Sequence, residues 1–341
     1  MEAIASANIV SLPFLAAARA ASRPAPARFG KLYGNSASMQ QVFTMIGKVA
    51  PTDATVLVTG ESGCGKELVA HSIHDLSNRR DEAFIAINCG AIPTNLIEAE
   101  LFGYEKGAFT GAVRQHAGCF ERARGGTLFL DEITEMAPDL QVRLLRVLET
   151  GKFTRVGGDR EISADVRVIA ATNREPSVAV RDNQLRADLM YRLAVFPIRI
   201  PPLRDRDDDA ELLAEHFLQD LNALSDTHKR LSRDAVEAIR RHSWPGNVRE
   251  LRNAIHRAYI MADDVVELNL GGLACPQARG QKLEFTVGMP LADMERQAIF
   301  ATLDHCRGNK RQCAGLLGVS LKTLYNRLTA YHAQDVTGAV Q

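Results

Sequence analysis

Between residues 31 and 265, short apolar runs alternate with stretches of helical periodicity. The runs are Thr55-Val56-Leu57-Val58-Thr59, Phe84-Ile85-Ala86-Ile87, Thr127-Leu128-Phe129-Leu130 and Val166-Arg167-Val168-Ile169-Ala170-Ala171. Three of them are almost unbroken in apolar residues, which predicts strands buried on both faces of a parallel sheet. Between the runs, Leu140, Leu144, Leu145 and Leu148 fall on one face of a helix over residues 140–149. This alternation predicts a doubly wound α/β domain over residues 31–206.

From about Asp207 the strand signals stop. Leu212, Leu213, Phe217, Leu221 and Leu224 form a helical stripe, and Ala235 and Ile239 begin another. Pro245-Gly246-Asn247 breaks the chain before a further helix that runs through Ile260. Residues 207–265 are therefore expected to form a small all-helical subdomain. Residues 266–288 contain Gly271-Gly272, Pro276 and Gly280 without periodicity, and read as a linker. Residues 289–341 form a separate helical unit. Residues 1–30 end in the Pro/Ala run Ser22–Arg28 and read as a tail.

Composition narrows the class. The chain has 341 residues, 46% of them hydrophobic and 24% charged, which is ordinary globular usage. Lys plus Arg and Asp plus Glu each number 41. A protein coated in positive charge is excluded, but a local basic patch is not. No stretch is apolar for long enough to span a membrane. The apolar segment Ile9–Ala18 lacks the basic residues that open a signal peptide. The six cysteines show no C-x-x-C spacing and read as scattered reduced thiols of a cytoplasmic protein. His71 and His74 lie three apart on a helix, but no carboxylate completes a metal-ligand pattern.

The candidate chemistry begins at Gly60-Glu61-Ser62-Gly63-Cys64-Gly65-Lys66, which follows a strand and opens a helix. This is a phosphate-binding loop in its required context. Its glycines let successive amides curl around phosphate oxygens, the helix N-terminus adds partial positive charge, and Lys66 reaches the β- and γ-phosphates. The next position, usually a Ser or Thr that ligates Mg2+, is Glu67. Its carboxylate can act on the metal directly or through water. Downstream, an apolar strand ends in Asp131-Glu132, at the edge where α/β sheets place ligands. Asp131 is expected to hold Mg2+ and its waters, and Glu132 to orient the attacking water.

Gly107-Ala108-Phe109-Thr110-Gly111-Ala112, preceded by Glu100-Leu101-Phe102-Gly103, reads as a loop on physical grounds. It also resembles the GAFTGA signature of bacterial enhancer-binding proteins, the AAA+ activators of sigma-54 RNA polymerase. The resemblance runs from about Leu32 to Ala330 and includes the phosphate loop with Glu67. It implies an AAA+ P-loop NTPase that binds ATP and Mg2+, with the loop from Gly107 to Ala112 contacting sigma-54. It implies that Asn88, in Ile87-Asn88-Cys89, restrains Glu132. Asn173, in Ala171-Thr172-Asn173, matches the sensor I motif. Arg186 and Arg192, in Leu185–Leu193, match arginines that reach a neighbouring subunit's nucleotide; Leu185 stands where relatives commonly have Phe. Arg249, in Trp244-Pro245-Gly246-Asn247-Val248-Arg249-Glu250-Leu251, matches the sensor II arginine.

Near the C-terminus, Leu291, Met294, Ala298, Ile299 and Leu303 mark one helix, Lys310–Leu317 a second and Leu321–Ala330 a third. The last two, joined by Gly318-Val319-Ser320, have a helix-turn-helix pattern. Ser320 is positioned to cap the last helix. From Arg307 to Ala330 there are basic residues and no acids. Lys310, Arg311, Ser320, Lys322, Thr323, Asn326 and Arg327 are therefore the candidate contacts to double-stranded DNA. The segment resembles the Fis-type domain of the same family, whose first helix contributes to dimerisation.

The expected function is ATP-driven activation of sigma-54 transcription from an upstream DNA site, by subunits that assemble from dimers into a hexameric ring. Two rivals share parts of the pattern. One is a regulator of the same architecture that no longer works on sigma-54, which loss of the GAFTGA loop would mark. The other is an AAA+ DNA-remodelling or helicase-loader enzyme, which would lack that loop. Residues 1–30 are too few for a sensory domain, so the expectation is a regulator acting in trans, control of expression, or constitutive activity.

Overall fold

The computed structural model describes residues 28–268, 270, 289–306 and 309–337. Most of the tail and of the expected linker, Cys275, Arg307 and Gly308 lie outside the described residues. The chain divides into two compact units, Met1–Leu270 and Gly271–Gln341.

Regular structure starts before residue 31. Arg28–Phe29 (β1) pairs antiparallel with Leu32–Tyr33 (β2) across Gly30, whose φ of 61° suits a residue without Cβ. Helix α1 (Ala37–Val49) follows, with the Ser36 hydroxyl accepting from the Met39 amide, and buries Met39, Val42, Phe43 and Ile46. The phosphate loop then joins β3 (Val56–Thr59) to α2 (Lys66–Asp75). Strand β4 (Phe84–Asn88) leads through α3 (Thr94–Phe102) and α4 (Cys119–Arg122) to β5 (Thr127–Asp131). Helix α5 (Pro138–Thr150) covers more than the 140–149 read from periodicity, because Pro138 adds a first turn that has no apolar stripe. A hairpin of β6 (Lys152–Thr154) and β7 (Glu161–Ser163) precedes β8 (Arg167–Thr172), α6 (Pro176–Arg181), α7 (Ala187–Leu193) and β9 (Phe196–Arg199).

The five long strands form one parallel sheet in the order β4-β5-β8-β3-β9. The four expected strands are present. The fifth, β9, is an edge strand interrupted by Pro197 and Arg199, so its sequence lacks the apolar run that marks the others. Leu128, Phe129 and Leu130 are at most 1% exposed, which explains why β5 reads as a continuous apolar run. One core on the sheet's first face gathers Leu57, Leu128, Leu130, Val168 and Ala170 with α3, α5 and α7. The second gathers Val56, Val58, Phe129, Ile169 and Ile198 with α1 and α2.

Register brings the chemistry to one edge. Asn88 is opposite Asp131 at the C-terminal ends of β4 and β5, and Thr59 is opposite Thr172 at those of β3 and β8. The expected helical subdomain, here termed the lid, comprises α8 (Asp209–Ser225), α9 (Arg233–Arg241) and α10 (Asn247–Met261). It is not wholly helical, because β10 (Arg230–Leu231) pairs in parallel with β11 (Val265–Val266). Two-residue strands carry no detectable alternation, so the pattern of residues 207–265 could not reveal them.

The second unit contains α11 (Leu291–His305), α12 (Lys310–Leu316) and α13 (Leu321–Thr337). Ile299, Cys306, Cys313, Leu324, Leu328 and Tyr331 form its core. Among the described residues, no helix is long and apolar enough to cross a membrane.

Candidate nucleotide and DNA-binding sites

The phosphate loop is built from left-handed glycines: Gly63 has φ 78° and Gly65 has φ 106°. Such alternation with ordinary residues is the backbone geometry of an anion nest. A Cβ at Gly65 would meet nothing within 4 Å, whereas one at Gly63 would lie 2.5 Å from the Gly246 carbonyl oxygen. The loop thus has open space beside Gly65 and the lid against Gly63. Cys64 is buried, and its thiol is pushed up by that burial against the opposing influence of Lys66 and Arg206.

Lys66 is 7% exposed and donates to the Gly60 carbonyl at 3.1 Å. Its ammonium lies 3.6 Å from a Glu132 carboxylate oxygen. Glu132 follows β5 with φ and ψ of 52°, a left-handed conformation that is unfavourable for a side chain with a Cβ. Its other oxygen accepts from the Asn173 amide at 3.3 Å. Asp131 Oδ1 caps the Glu132 amide at 3.0 Å. The expected contact from Asn88 to Glu132 is not formed. Asn88 Nδ2 instead donates to Asp131 Oδ2 at 3.2 Å, and its Oδ1 accepts from the Gly90 and Ala91 amides. The cause is register, since Asn88 faces Asp131 across the two strands and Glu132 turns away after β5.

Behind the carboxylates, burial pushes the Cys89 thiol up to about 12, with Asp131, Cys119 and Glu132 acting in the same direction. It stays protonated and inert there. Among the described residues the cysteines are free, in line with the reading of reduced thiols. His74 shares a 2.9 Å hydrogen bond with Thr127, and His71 stacks on Phe84 with ring centres 4.0 Å apart. Glu67 is exposed on the first turn of α2, and no described group of three His, Cys, Asp or Glu side chains forms a metal cage. The half-buried Asp131 and exposed Glu67 carboxylates are hard oxygen donors of the kind that Mg2+ takes alongside phosphate and water.

Arg249 Nη1 donates to the Ser62 hydroxyl at 3.0 Å, so the lid arginine lies on the phosphate loop. Arg186 and Arg192 do not. Arg186 forms a two-point ion pair with Asp188, and Arg192 donates twice to the Leu148 carbonyl. Both are exposed.

The loop from Gly107 to Ala112 is closed on itself. The Gly107 amide donates to the Ala112 carbonyl at 2.8 Å, and the Ala112 amide to the Phe109 carbonyl at 3.0 Å. Gly107 and Gly111 have φ of 83° and 108°. Phe109 is 41% exposed and rests edge-on against Tyr104, with ring centres 4.9 Å apart. Ala108 and Thr110 lie beside it at the tip, and Ala112 is buried.

In the C-terminal unit, Ser320 Oγ accepts from the Thr323 amide at 3.1 Å and caps α13. Lys322, Thr323, Asn326 and Arg327 are exposed, and Lys310 lies 4.7 Å from the centre of the Tyr325 ring. The Arg311 side chain lies outside the described residues. Arg327 departs from the expected acid-free surface, because Glu295 of α11 pairs with it at 3.2 Å. That acid is remote in sequence and so escaped a count over residues 307–330. Glu61, expected among the nucleotide-binding residues of the loop, is instead held by Arg204 at 2.6 and 2.9 Å and by Asn247 at 3.1 Å, partners that the sequence did not reveal.

Strand order, phosphate loop and acidic strand end define an AAA+ P-loop NTPase, joined in sequence to a helix-turn-helix unit. Comparison with known proteins narrows this. Residues 32–199 match the Sigma-54 interaction domain, residues 204–270 the AAA+ ATPase lid domain, and residues 290–331 the Bacterial regulatory protein, Fis family. The chain is 43% identical over 339 residues to the DNA-binding transcriptional regulator NtrC of Azospirillum brasilense, covering 90% of this chain and 70% of that one. It is 43% identical over 312 residues to the transcriptional regulatory protein FlbD of Caulobacter vibrioides, covering 86% and 69%. The crystal structure of NtrX from Brucella abortus in complex with ATP matches with a TM-score of 0.65 and 33% identity, over 89% of this chain and 69% of that one. The chain belongs to the sigma-54-dependent enhancer-binding proteins, transcription activators with a Fis-type DNA-binding unit.

Proposed function

We propose that this protein hydrolyses ATP and uses the turnover to remodel sigma-54 RNA polymerase at a promoter, through the loop carrying Phe109 and Thr110. The observation that carries the reading is the meeting of Lys66, Glu132 and Asn173 at one sheet edge, beside a glycine nest and under Arg249. ATP bound with Mg2+ supplies the reactive phosphoanhydride and partial neutralisation of its charge, with Asp131, Glu67 and the amides of residues 60–66 as its holders. Lys66 and Arg249 add cations where negative charge develops. Glu132, already turned toward Lys66, orients and polarises water, and Asn173 fixes its free oxygen. Asn88 acts one step back, by fixing Asp131.

A neighbouring copy supplies Arg186 and Arg192, which explains why both are exposed and absent from their own loop. A ring, hexameric by family resemblance, follows from that need. The Phe109 loop meets sigma-54 at its exposed tip, where Gly107 and Gly111 permit a change of backbone path. Lys310, Arg311, Ser320, Lys322, Thr323, Asn326 and Arg327 form the DNA face.

The deciding experiment uses purified sigma-54 polymerase on a promoter carrying the protein's binding site. Open-complex formation that requires hydrolysable ATP and is lost in Phe109→Ala supports the reading. ATP hydrolysis without open complexes would sink it in favour of another remodelling role.

A further inference from the structure

Asn247 is fully buried at the start of α10, with φ 52°. Its amide joins three segments of chain. Nδ2 donates to Glu61 Oε2 and to the Ser62 carbonyl, each at 3.1 Å, and Oδ1 accepts from the Leu203 amide at 2.8 Å. Arg204 grips the same Glu61 carboxylate with two bonds, and Arg206, also buried, donates to the Cys64 carbonyl at 2.8 Å. Two residues after Asn247, the Arg249 amide donates to the Gly63 carbonyl at 3.3 Å. Residues 61–64 of the phosphate loop are therefore held from the lid side, and Glu61 is spent there rather than on a ligand.

We infer that Asn247 is a positioning residue that locks the lid to the phosphate loop through Glu61, and so couples nucleotide occupancy to lid orientation. The inference rests on the reading of this loop as a nucleotide site. An anion entering the nest adjusts the amides of residues 61–65. Those adjustments reach α10 directly, because its first turn is bonded to Glu61, Ser62 and Gly63. The same grip sets where Arg249 stands. A purely local helix cap would need none of the bonds that cross to the loop.

The chain carries its own reporter. Trp244, its single tryptophan, is 1% exposed in the same turn, and its indole donates to the Ile239 carbonyl at 2.9 Å. The test titrates the full-length protein with ADP while following tryptophan emission, with affinity measured separately by calorimetry. Wild type is expected to show a saturable emission change. Asn247→Asp keeps the acceptor for Leu203 but turns an acceptor against Glu61 and Ser62. It is expected to weaken ADP binding about tenfold and to abolish the emission change.

Wild-type affinity and emission in folded Asn247→Asp would overturn the lock. Wild-type emission unmoved by bound ADP would overturn the coupling. If Asn247→Asp does not fold, Arg204→Lys removes the fork from an exposed position. It must then blunt the emission change, or the lock fails. Binding of ADP without any ATP hydrolysis would instead sink the ATPase reading and leave the lock standing.

Discussion

The Lys66 ammonium and the Glu132 carboxylate stand 3.6 Å apart, both largely buried. An anion bound in the glycine nest would compete with Glu132 for the lysine. Glu132→Gln removes the charge and keeps the shape. ATP binding should persist or tighten, because Lys66 loses a competitor. Hydrolysis should fall about 10²–10⁴-fold, the usual loss for a general base. Steady-state ATPase rates beside binding of a fluorescent ATP analogue check both halves.

Exposure of Arg186 and Arg192 predicts a site completed by assembly. The rate per subunit should climb with protein concentration and fall about 10³-fold or more in Arg186→Ala. Mixing that variant with Glu132→Gln should recover activity, since a dead site then lends its arginine to a live neighbour. A flat concentration profile, unaffected by the substitution, would leave Arg186 as the structural partner of Asp188.

The ion pair between Arg327 and Glu295 occupies a cation of the proposed DNA face. Glu295→Gln should strengthen binding to duplex DNA at low salt. If the freed guanidinium adds one phosphate contact, the slope of log affinity against log salt should steepen by about 0.9. Fluorescence anisotropy on a random-sequence duplex at several salt concentrations measures it. Arg327→Ala should show no such gain.

His74 ties the phosphate-loop helix to β5 through Thr127, and burial lowers its pKa from the ordinary 6.5. Folding therefore favours the neutral ring, and the unfolded chain binds the extra proton. His74 contributes its full stability above about pH 6.5, and that contribution declines as pH falls from there toward the folded pKa. Thermal melts from about pH 7.5 to about pH 5.5 should lose stability more steeply in wild type than in His74→Gln.

The apolar strands and the phosphate loop were legible because burial on both faces and left-handed glycines leave marks in local sequence. Strand β9 was not, since an edge position tolerates Pro197 and Arg199. Asp131 and Glu132 were legible as a pair, but which of them Asn88 serves depends on register between β4 and β5. The Glu61–Arg204 pair spans 143 positions, and the Glu295–Arg327 pair joins two helices. No local window holds both partners of either.

The left-handed backbone of Glu132 has a consequence for how this protein can be improved. Holding such a conformation costs about 1–2 kcal/mol, which Gly would largely avoid. Glu132→Gly would relieve that cost but leave the buried Lys66 ammonium without its carboxylate, which is the larger loss. Backbone strain at Glu132 and its contact with Lys66 are thus held together, and neither can be tuned without the other.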